Sequence, residues 1–310
     1  MELVKDQPLV SVVTVNYNQS EVTCEFLESL KDITYNNIEI FVVDNASPSD
    51  NPDMIKERYP YINLLKTKQN LGFAGGNNVA LPHCKGEYIL FINNDTEVEP
   101  SFLEPLVEVL KQDVTIGMVS PRIQYFHSPG IIQYAGFTEF NLVTTRLFSY
   151  GYGKKDNGEY SNVSESGSIF GAAMLVPMKV IKEVGMMADV FFLYYEEHDW
   201  AAHIKDAGYK LYYQGKSLVY HKESVATGKD SPFKTYYLTR GRILFARRNT
   251  KGSKNILAML YIYFVTTPRI TLEYLVKFKF KHLWAYWKAV WWNMSHNSGI
   301  VFELPQLKDN

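Results

Sequence analysis

Short apolar runs alternate with amphipathic segments over the first hundred residues of the chain. The apolar runs are rich in β-branched side chains and predict four buried strands, at residues 9–15, 38–43, 62–65 and 88–92. Ser20 is placed to cap a helix whose apolar side chains share one face. Further helices are predicted at residues 53–59, 74–83 and 102–111. Strands that alternate with helices predict βαβ units, and therefore an α/β fold with a mostly parallel sheet.

The pattern is less regular in the middle of the chain and helical towards its end. Strands are predicted around a long polar loop region (127–167), at residues 118–125, 172–176, 210–213 and 218–220. A helix is predicted at 199–207, with Gly208 as its C-cap. Three helical segments follow Asp230, at residues 233–247, 256–264 and 270–292. We therefore predict one domain over residues 1–230, with two halves that meet near residue 115, and a helical extension over residues 231–310.

Composition is typical of a globular protein. Of the 310 residues, 46% are hydrophobic and 21% are charged, which provides a sizeable core and argues against general disorder. The two cysteines, Cys24 and Cys84, lack the spacing of metal ligands or of a disulfide framework. The first eight residues are polar and show no apolar signal segment. These features favour a reduced, cytoplasmic setting.

Charge is distributed unevenly, although the net charge is only −1. Residues 234–310 contain 13 Lys and Arg residues against three Asp and Glu residues, and they hold four of the five tryptophans. The apolar segment 256–264 is far shorter than the ~20 residues that span a bilayer. Lysines interleaved with tryptophans suit a lipid headgroup region, so we expect a peripheral position on an anionic, cytoplasmic membrane face. An extension packed on the first domain and a homodimer interface are the alternatives.

Polar residues cluster where the predicted strands end. The segments that follow the four strands are Asn16-Tyr17-Asn18, Asp44-Asn45-Ala46-Ser47, the glycine-rich 70–78 and Asn93-Asn94-Asp95. Ligands bind at the carboxyl ends of strands in an open parallel sheet, so these segments predict a nucleotide pocket. Each of these features also has a structural explanation. Asp44 could equally be a turn residue, Tyr17 alone would more often be a packing aromatic, and the glycine-rich segment alone is only a weak indication of phosphate binding. The prediction of a nucleotide pocket rests on the four segments lying at the same edge of the sheet.

Candidate chemistry lies in the second half of the chain. Glu196, Glu197 and Asp199 fall within four positions at a predicted helix start, with aromatic residues on both sides. Such a charge run is usually a solvated helix N-terminus, but burial beside aromatic residues raises a carboxyl pKa towards useful base strength. His221 ends a predicted strand, where a lone histidine is more often structural than a metal ligand.

Together these segments resemble the family 2 glycosyltransferases, and among them the rhamnosyltransferase-like and galactofuranosyltransferase-like members. The resemblance covers roughly residues 8–250 in the family's order. Besides the strand-end segments, it rests on 171–176, 191–200, Ala207-Gly208-Tyr209, His221, 236–240 and Arg247-Arg248. It implies a GT-A fold, which is a Rossmann-like nucleotide-binding domain with a mixed, mostly parallel sheet. The first half would then bind the nucleotide sugar, and the second half the acceptor.

The resemblance also implies roles for individual residues. Tyr17 would line the base pocket, and Asp44 would accept a hydrogen bond from a pyrimidine N3–H. The nucleotide-binding residues would be Asn16, Tyr17, Asp44, Asn70, Gly72, Asn78, Asn94 and, through phosphate, Arg240. Asp95, His221 and Asn93 would hold Mn²⁺ or Mg²⁺. Glu197 would be the catalytic base, and Asp199 would orient the acceptor.

Two positions depart from the family pattern. Asn93 stands where the first Asp of the DXD motif is usual, which leaves a metal one fewer carboxylate, although an amide oxygen can still face a hard cation. Glu197 stands where Asp is commoner, which moves the base outward by one methylene. Neither departure changes the expected reaction type.

The predicted function is an inverting, metal-dependent glycosyl transfer. The donor would be UDP- or dTDP-linked, with dTDP-rhamnose favoured, and the acceptor a hydroxyl of a polysaccharide or lipid-linked glycan. No nucleic-acid partner is expected. One alternative is a catalytically degenerate GT-A module that binds nucleotide sugars or serves as a scaffold. A sugar nucleotidyltransferase is disfavoured, because Asn16-Tyr17-Asn18-Gln19 replaces the glycine-rich loop that this class places after its first strand.

Overall fold

The computed structural model describes residues 7–222 and 230–296. A single mixed sheet forms the centre of the fold. Its strands are β1 (Val10–Asn16), β2 (Ile38–Asp44), β3 (Asn63–Lys66), β4 (Tyr88–Ile92), β5 (Thr96–Val98), β6 (Ile116–Tyr125), β7 (Ile132–Tyr134), β8 (Val163–Glu165), β9 (Ala173–Pro177) and β10 (Lys210–His221). The strand order is β3-β2-β1-β4-β9-β6-β10-β5, with β7 beside β6 and β8 beside β10.

The first four strands in this order run parallel, and antiparallel β9 joins them to the parallel pair β6 and β10. Asn16 at the end of β1 pairs in register with Asp44 at the end of β2. The predicted parallel sheet and the convergence of its strand ends are therefore confirmed.

Helices cover both faces of the sheet. They are α1 (Ser20–Ser29), α2 (Asp53–Arg58), α3 (Gly72–Ala80), α4 (Leu103–Gln112), α5 (Met178–Val184), α6 (Glu196–Asp206), α7 (Pro232–Asn249), α8 (Gly252–Leu260), α9 (Thr267–Val276) and α10 (Phe280–Ser295). Successive residues of β1 point to opposite faces. Val12 belongs to one core cluster with residues of α1 and α4, and Val13 to another with residues of α3 and α6. This double burial explains the continuous apolar runs in the sequence.

Several predicted details are wrong. Ser20 does not cap α1: it is the first helical residue, and Asp50 Oδ2 accepts its N–H at 2.6 Å. The two strands predicted over 210–220 form the single strand β10, with a register shift between Gln214 and Leu218. The helix predicted at 270–292 is two helices, α9 and α10, because the chain turns at Phe278 with φ 53°.

The helices after residue 230 pack on one another and on the sheet domain. Ile243 and Ala246 of α7 share a buried cluster with Tyr286 and Val290 of α10. The predicted division into a domain over residues 1–230 and an extension over residues 231–310 stays a prediction. Residues 1–6 of the first unit and 297–310 of the second lie outside the described residues. None of the described helices combines the length and hydropathy needed to span a membrane.

Candidate active site

A cavity of about 520 Å³ opens at the ends of β1, β2 and β4. Its opposite wall comes from the residues before α6 and from the first turns of α7. The predicted site residues that line it are Tyr17, Asn70, Gly72, Asn93, Asn94, Asp95, Glu197 and His221. Those that lie behind its wall are Asn16, Asp44, Asn78, Asp199 and Arg240. The structure thus brings together the predicted metal ligands, the predicted base and part of the predicted nucleotide set.

Asn16 and Asp44 form a buried pair at the ends of β1 and β2, beside the cavity. Asn16 Nδ2 donates to Asp44 Oδ1 at 3.0 Å, and the Ser47 hydroxyl donates to the same oxygen at 2.6 Å. The backbone N–H of Ser47 donates to Asp44 Oδ2 at 3.2 Å. Tyr17, the next residue along the chain from Asn16, is 37% exposed and lines the cavity. The pair therefore fixes the strand ends beside Tyr17.

Asn45 connects the end of β2 to the glycine-rich segment. Its side-chain Nδ2 donates to Asn70 Oδ1 at 3.1 Å and to the Gly72 carbonyl at 2.9 Å, while its Oδ1 accepts the Leu71 N–H at 2.9 Å. Asn45 is buried and lines the cavity. The turn that leads into α3 is thus held by a side chain of the predicted segment 44–47 for which the sequence pattern predicted no individual role.

Gly72 stands where no other residue fits. Its φ is +72°, in the left-handed region, and a Cβ there would lie 2.1 Å from the carbonyl oxygen of Phe192. That oxygen accepts the Phe73 N–H at 2.6 Å. The start of α3, on the nucleotide side, therefore lies in direct contact with the turn that leads to α6.

His221 and Asp95 meet at the floor of the cavity, and both are buried. His221 Nε2 lies 3.1 Å from Asp95 Oδ1, and His221 Nδ1 lies 2.9 Å from Gln133 Oε1. Because a carbonyl oxygen only accepts hydrogen bonds, Nδ1 donates its proton to Gln133. Burial acts to raise the pKa of Asp95, but the hydrogen bond and charge of His221 hold that pKa below its usual value.

The same residues suit a divalent cation. When Nε2 of His221 carries no proton, donation from Nδ1 to Gln133 leaves the Nε2 lone pair available to a cation that also contacts Asp95. Asn93 Nδ2 lies 3.5 Å from His221 Nε2, and the buried Asn93 Oδ1 has no hydrogen-bond partner among the described residues. Within residues 7–222 and 230–296 there is no group of three or more His, Cys, Asp or Glu side chains that could hold a metal ion. The donor set of Asp95, His221 and Asn93 fits a cation that also takes ligands from phosphate or water.

The two glutamates at the start of α6 lie in different environments. Burial raises the pKa of Glu196 well above its usual value, and the charge of Glu197 adds to this effect. Glu197 lines the cavity; its side chain packs against Gly171, and within the described part of the chain its Oε2 has no hydrogen-bond partner. The carboxyl group of Glu196, whose uncharged form burial favours, thus lies next to the carboxyl group that faces the cavity.

A strained turn presents Glu197 to the cavity. Phe192, Tyr194 and Tyr195 all have positive φ, between 63° and 77°. Non-glycine residues in this conformation cost free energy and persist only where the surroundings enforce it. The enforcing contacts include the hydrogen bond from the Phe73 N–H and the close approach of Gly241 to the Tyr194 carbonyl.

Three predicted site residues hold this turn and α6 from behind. Arg240 donates to the carbonyls of Val190 and Phe191 and stacks on Trp292, with 4.4 Å between its guanidinium carbon and the ring centroid. Asn78 Nδ2 donates at 2.8 Å to both the Met187 carbonyl and Asp189 Oδ1. Asp199 is 1% exposed and accepts hydrogen bonds from Arg248 and Asn249 of α7. Their predicted roles towards ligands stay predictions.

The sequence pattern did not single out Asn45, Gln133, His198 or Lys234. Gln133 lies on β7, within the region predicted to be a polar loop, and pairs with His221 from 88 residues away, so no local spacing indicates it. His198 lies beside Glu197 with its side chain 12% exposed, and burial lowers its pKa. Lys234 lines the cavity from the first turn of α7, where its position after Ser231 and Pro232 at a helix start was an available signal.

Residues 11–175, more than half of the chain, match the model of the family described as "Glycosyl transferase family 2". An N-acetylglucosaminyl-diphospho-decaprenol L-rhamnosyltransferase of Mycobacterium tuberculosis is 23% identical over 248 residues, which cover 72% of this chain and 78% of the relative. A putative glycosyltransferase of Bacillus subtilis is 32% identical over 104 residues, which cover 33% of this chain and 30% of that protein.

Solved structures show the same fold at low identity. The mannosyltransferase PcManGT from Pyrobaculum calidifontis, in complex with GDP-Man and Mn²⁺, aligns with a TM-score of 0.58 at 18% identity, covering 94% of this chain and 77% of that one. GalNAc-T7 with UDP, GalNAc and Mn²⁺ aligns with a TM-score of 0.61 at 16% identity. There the match covers 78% of this chain but about half (48%) of the other. The chain belongs to glycosyl transferase family 2 and has the GT-A fold of these glycosyltransferases.

Proposed function

We propose that this protein is an inverting, metal-dependent glycosyltransferase that transfers a sugar from a UDP- or dTDP-linked donor to a glycan hydroxyl. One observation carries the proposal. A single cavity is lined on one side by the strand-end residues Tyr17 and Asp95, and on the other by the carboxylate of Glu197. Donor and base thus meet in one enclosed site at the carboxyl edge of the sheet.

Glu197 is the proposed general base. It takes the proton of the acceptor hydroxyl as that oxygen attacks the anomeric carbon, and the bond from this carbon to the diphosphate oxygen breaks. The nucleoside diphosphate leaves from the face opposite the attack, so the anomeric configuration inverts. One carboxylate suffices, because the leaving group is stabilised by cationic groups instead of by a second protein acid.

Asp95, His221 and Asn93 are the proposed ligands of Mn²⁺ or Mg²⁺. When bound, such an ion offsets the negative charge on the departing diphosphate. The support is the unpaired amide oxygen of Asn93, the short distance between His221 and Asp95, and the Mn²⁺ in the structures of two GT-A proteins with this fold. Gln133 orients the His221 ring by accepting its Nδ1–H.

dTDP-rhamnose is the first donor to test. The support is the rhamnosyltransferase among the relatives. The acceptor we propose is a polysaccharide or a lipid-linked glycan. The purified protein should be screened with dTDP-, UDP- and GDP-linked sugars for released nucleoside diphosphate, and the anomeric configuration of the product should be read by NMR. A product that retains the donor's configuration would disprove the single displacement.

A degenerate module that binds nucleotide sugars without turnover remains the alternative function. The substitution of Asn for the first carboxylate of the metal motif favours it. The intact pair of Asp95 and His221 and the cavity-facing Glu197 favour the enzyme. Tight donor binding without turnover for any donor–acceptor pair would support the degenerate module.

We further propose that the C-terminal helices rest on an anionic membrane at its cytoplasmic face. One side of α10 exposes what we call the tryptophan face, formed by Trp284, Trp287, Trp291 and Met294. Lys281 and Lys288 are exposed at helical spacing on the same side. An apolar surface this large, with lysines at its edge, suits the interface between acyl chains and headgroups. Trp292 is not part of this face, because it is half-buried against Arg240.

A further inference from the structure

A second cavity, of about 350 Å³, lies beside the candidate active site. Gln133 and Phe170 line both cavities, so the two adjoin each other. Phe170 directly precedes Gly171, the residue against which Glu197 packs. The second cavity therefore begins next to the proposed base and extends away from the nucleotide end of the site.

Exposed aromatic rings form the outer part of this second cavity. Phe148 is 69% exposed and Tyr152 is 63% exposed, and both line it. Rings of this size are normally buried, because exposing them to water costs free energy. Neither residue lies on a hydrophobic core cluster of the described chain. Tyr152 meets Tyr125 edge-on, with 6.4 Å between the ring centroids, and most of its surface is still exposed. Packing against the core clusters of the described residues thus does not account for the position of the two rings.

A braced hairpin presents these rings. Phe137 and Ser149 pair across it, the Thr138 N–H donates to the Phe148 carbonyl at 3.0 Å, and the Phe148 N–H donates to Thr138 Oγ1 at 3.0 Å. Arg242 of α7 fastens the tip, donating to the Thr144 carbonyl at 2.6 Å. The ring of Phe148 therefore stands on a fixed frame, which lowers the entropic cost of binding a ligand.

The lining of the second cavity selects a class of ligand. It combines aromatic and aliphatic surface with the polar side chains of Gln133 and Ser149, and no described side chain that lines it is charged. An uncharged lining does not suit a diphosphate, whereas the main cavity holds Asp95, His221 and Lys234. A sugar ring has an apolar C–H face and a hydroxyl edge, which match aromatic rings flanked by amide and hydroxyl groups.

We infer that the second cavity is an acceptor subsite for a neutral oligosaccharide, with sugar rings stacked on Phe148 and Tyr152 and the reactive hydroxyl at Glu197. This inference rests on the proposed function. It adds that the acceptor is a glycan of at least two sugar units, recognised beyond the sugar that reacts.

The test is direct binding to the full-length protein, which needs no turnover. Saturation-transfer NMR would be run with chitotetraose and with a rhamnose-containing tetrasaccharide, each against its monosaccharide. We expect at least one tetrasaccharide to bind more tightly than its monosaccharide, and Phe148→Ala or Tyr152→Ala to weaken that binding roughly tenfold. Phe148→Trp should retain it, because the aromatic face is kept. Tyr61→Ala, a change at an equally exposed ring on the β3 side of the sheet, is the matched control.

Several outcomes separate this inference from the proposed function. If the tetrasaccharides bind through Phe148 and no donor is ever turned over, the subsite stands and the glycosyltransferase proposal fails. If neither tetrasaccharide binds, or if both alanine variants bind as the wild type does, the subsite is wrong even where sugar transfer is observed. Displacement of the bound sugar by farnesol, which carries no sugar, would show a lipid groove and would also overturn the inference.

Discussion

The carboxylate of Asp199 accepts hydrogen bonds from Nε and Nη2 of Arg248, at 2.9 and 3.1 Å. Both side chains are largely buried, and Asn249 donates to the same carboxylate at 2.7 Å. This contact joins α6, which carries Glu197, to α7, which borders the cavity. We therefore expect Asp199 to position α6 instead of contacting the substrates.

Asp199→Asn should destabilise the fold more than it affects chemistry. It removes the charge of Asp199 from its buried ion pair with Arg248, and breaking such a pair costs about 3–5 kcal/mol in the free energy of unfolding. Denaturant unfolding measures this loss. Asp53→Asn, which breaks the exposed pair with Lys66, is the control and should cost about 1 kcal/mol or less. Unchanged stability together with abolished transfer would instead place Asp199 in contact with the acceptor.

Glu197→Gln should reduce transfer by about 10²–10⁴-fold, because it removes the proton acceptor and keeps the side-chain shape. Binding of the nucleoside diphosphate, measured by calorimetry, should be unaffected. Glu196→Gln is the matched control, since Glu196 is buried and its raised pKa favours the uncharged form. Transfer by Glu196→Gln should stay within a few-fold of wild type. The reverse ranking of the two variants would show that the base has been misassigned.

Glu196 should also make stability fall as the pH rises. Its folded-state pKa is raised above the ordinary 4.5, so the folded protein keeps a proton that the unfolded chain releases. The stability that this group contributes is complete below pH 4.5 and is lost as the pH rises through the folded-state pKa. Glu196→Gln should therefore gain stability relative to wild type between pH 5 and pH 9, in thermal unfolding at each pH. A constant difference across that range would contradict the raised pKa.

Removal of metal should abolish transfer, and Mn²⁺ or Mg²⁺ should restore it after EDTA treatment. Asp95→Ala and His221→Ala should each weaken Mn²⁺ binding in the presence of the nucleotide, measured by electron paramagnetic resonance. Asp113→Asn changes a half-buried carboxylate outside the cavity and should bind Mn²⁺ as the wild type does. Undiminished turnover by Asp95→Ala in the presence of chelator would rule out the metal role.

The tryptophan face should bind anionic vesicles. Removing all residues after 249 would not test membrane binding cleanly. It would expose the apolar side chains of Ile243 and Ala246, which pack against α10 in the full-length protein. The double variant Trp284→Gln, Trp291→Gln instead changes exposed rings, and its flotation with phosphatidylserine vesicles should fall well below that of the wild type. Lys281→Gln should weaken binding, by about 1 kcal/mol at low salt. Equal flotation of all variants would exclude the membrane role, and a dimer lost only in the tryptophan variant would identify a homodimer interface.

The sequence predicted the features of the site that depend on local patterns. The apolar runs located β1, β2 and β4, and the polar residues after each run then had to meet at one edge of the sheet. What it could not predict are contacts between distant segments. The pairing of Gln133 with His221, and the position of Asp199 beneath the cavity instead of on its wall, depend on how loops and α7 fold back on the sheet. Helical periodicity gives the start of α6 but not the direction of its side chains.

The contact between Gly72 and the Phe192 carbonyl constrains how this scaffold can be modified. A segment transplanted from another donor-binding protein would bring its own turn before α3, and any Cβ at position 72 would displace the strained turn before Glu197. The side chain of Tyr17 lines the cavity without that contact. Donor preference is therefore open to change by point substitution at the strand ends, whereas a transplanted glycine-rich loop must be exchanged together with the 190–195 turn.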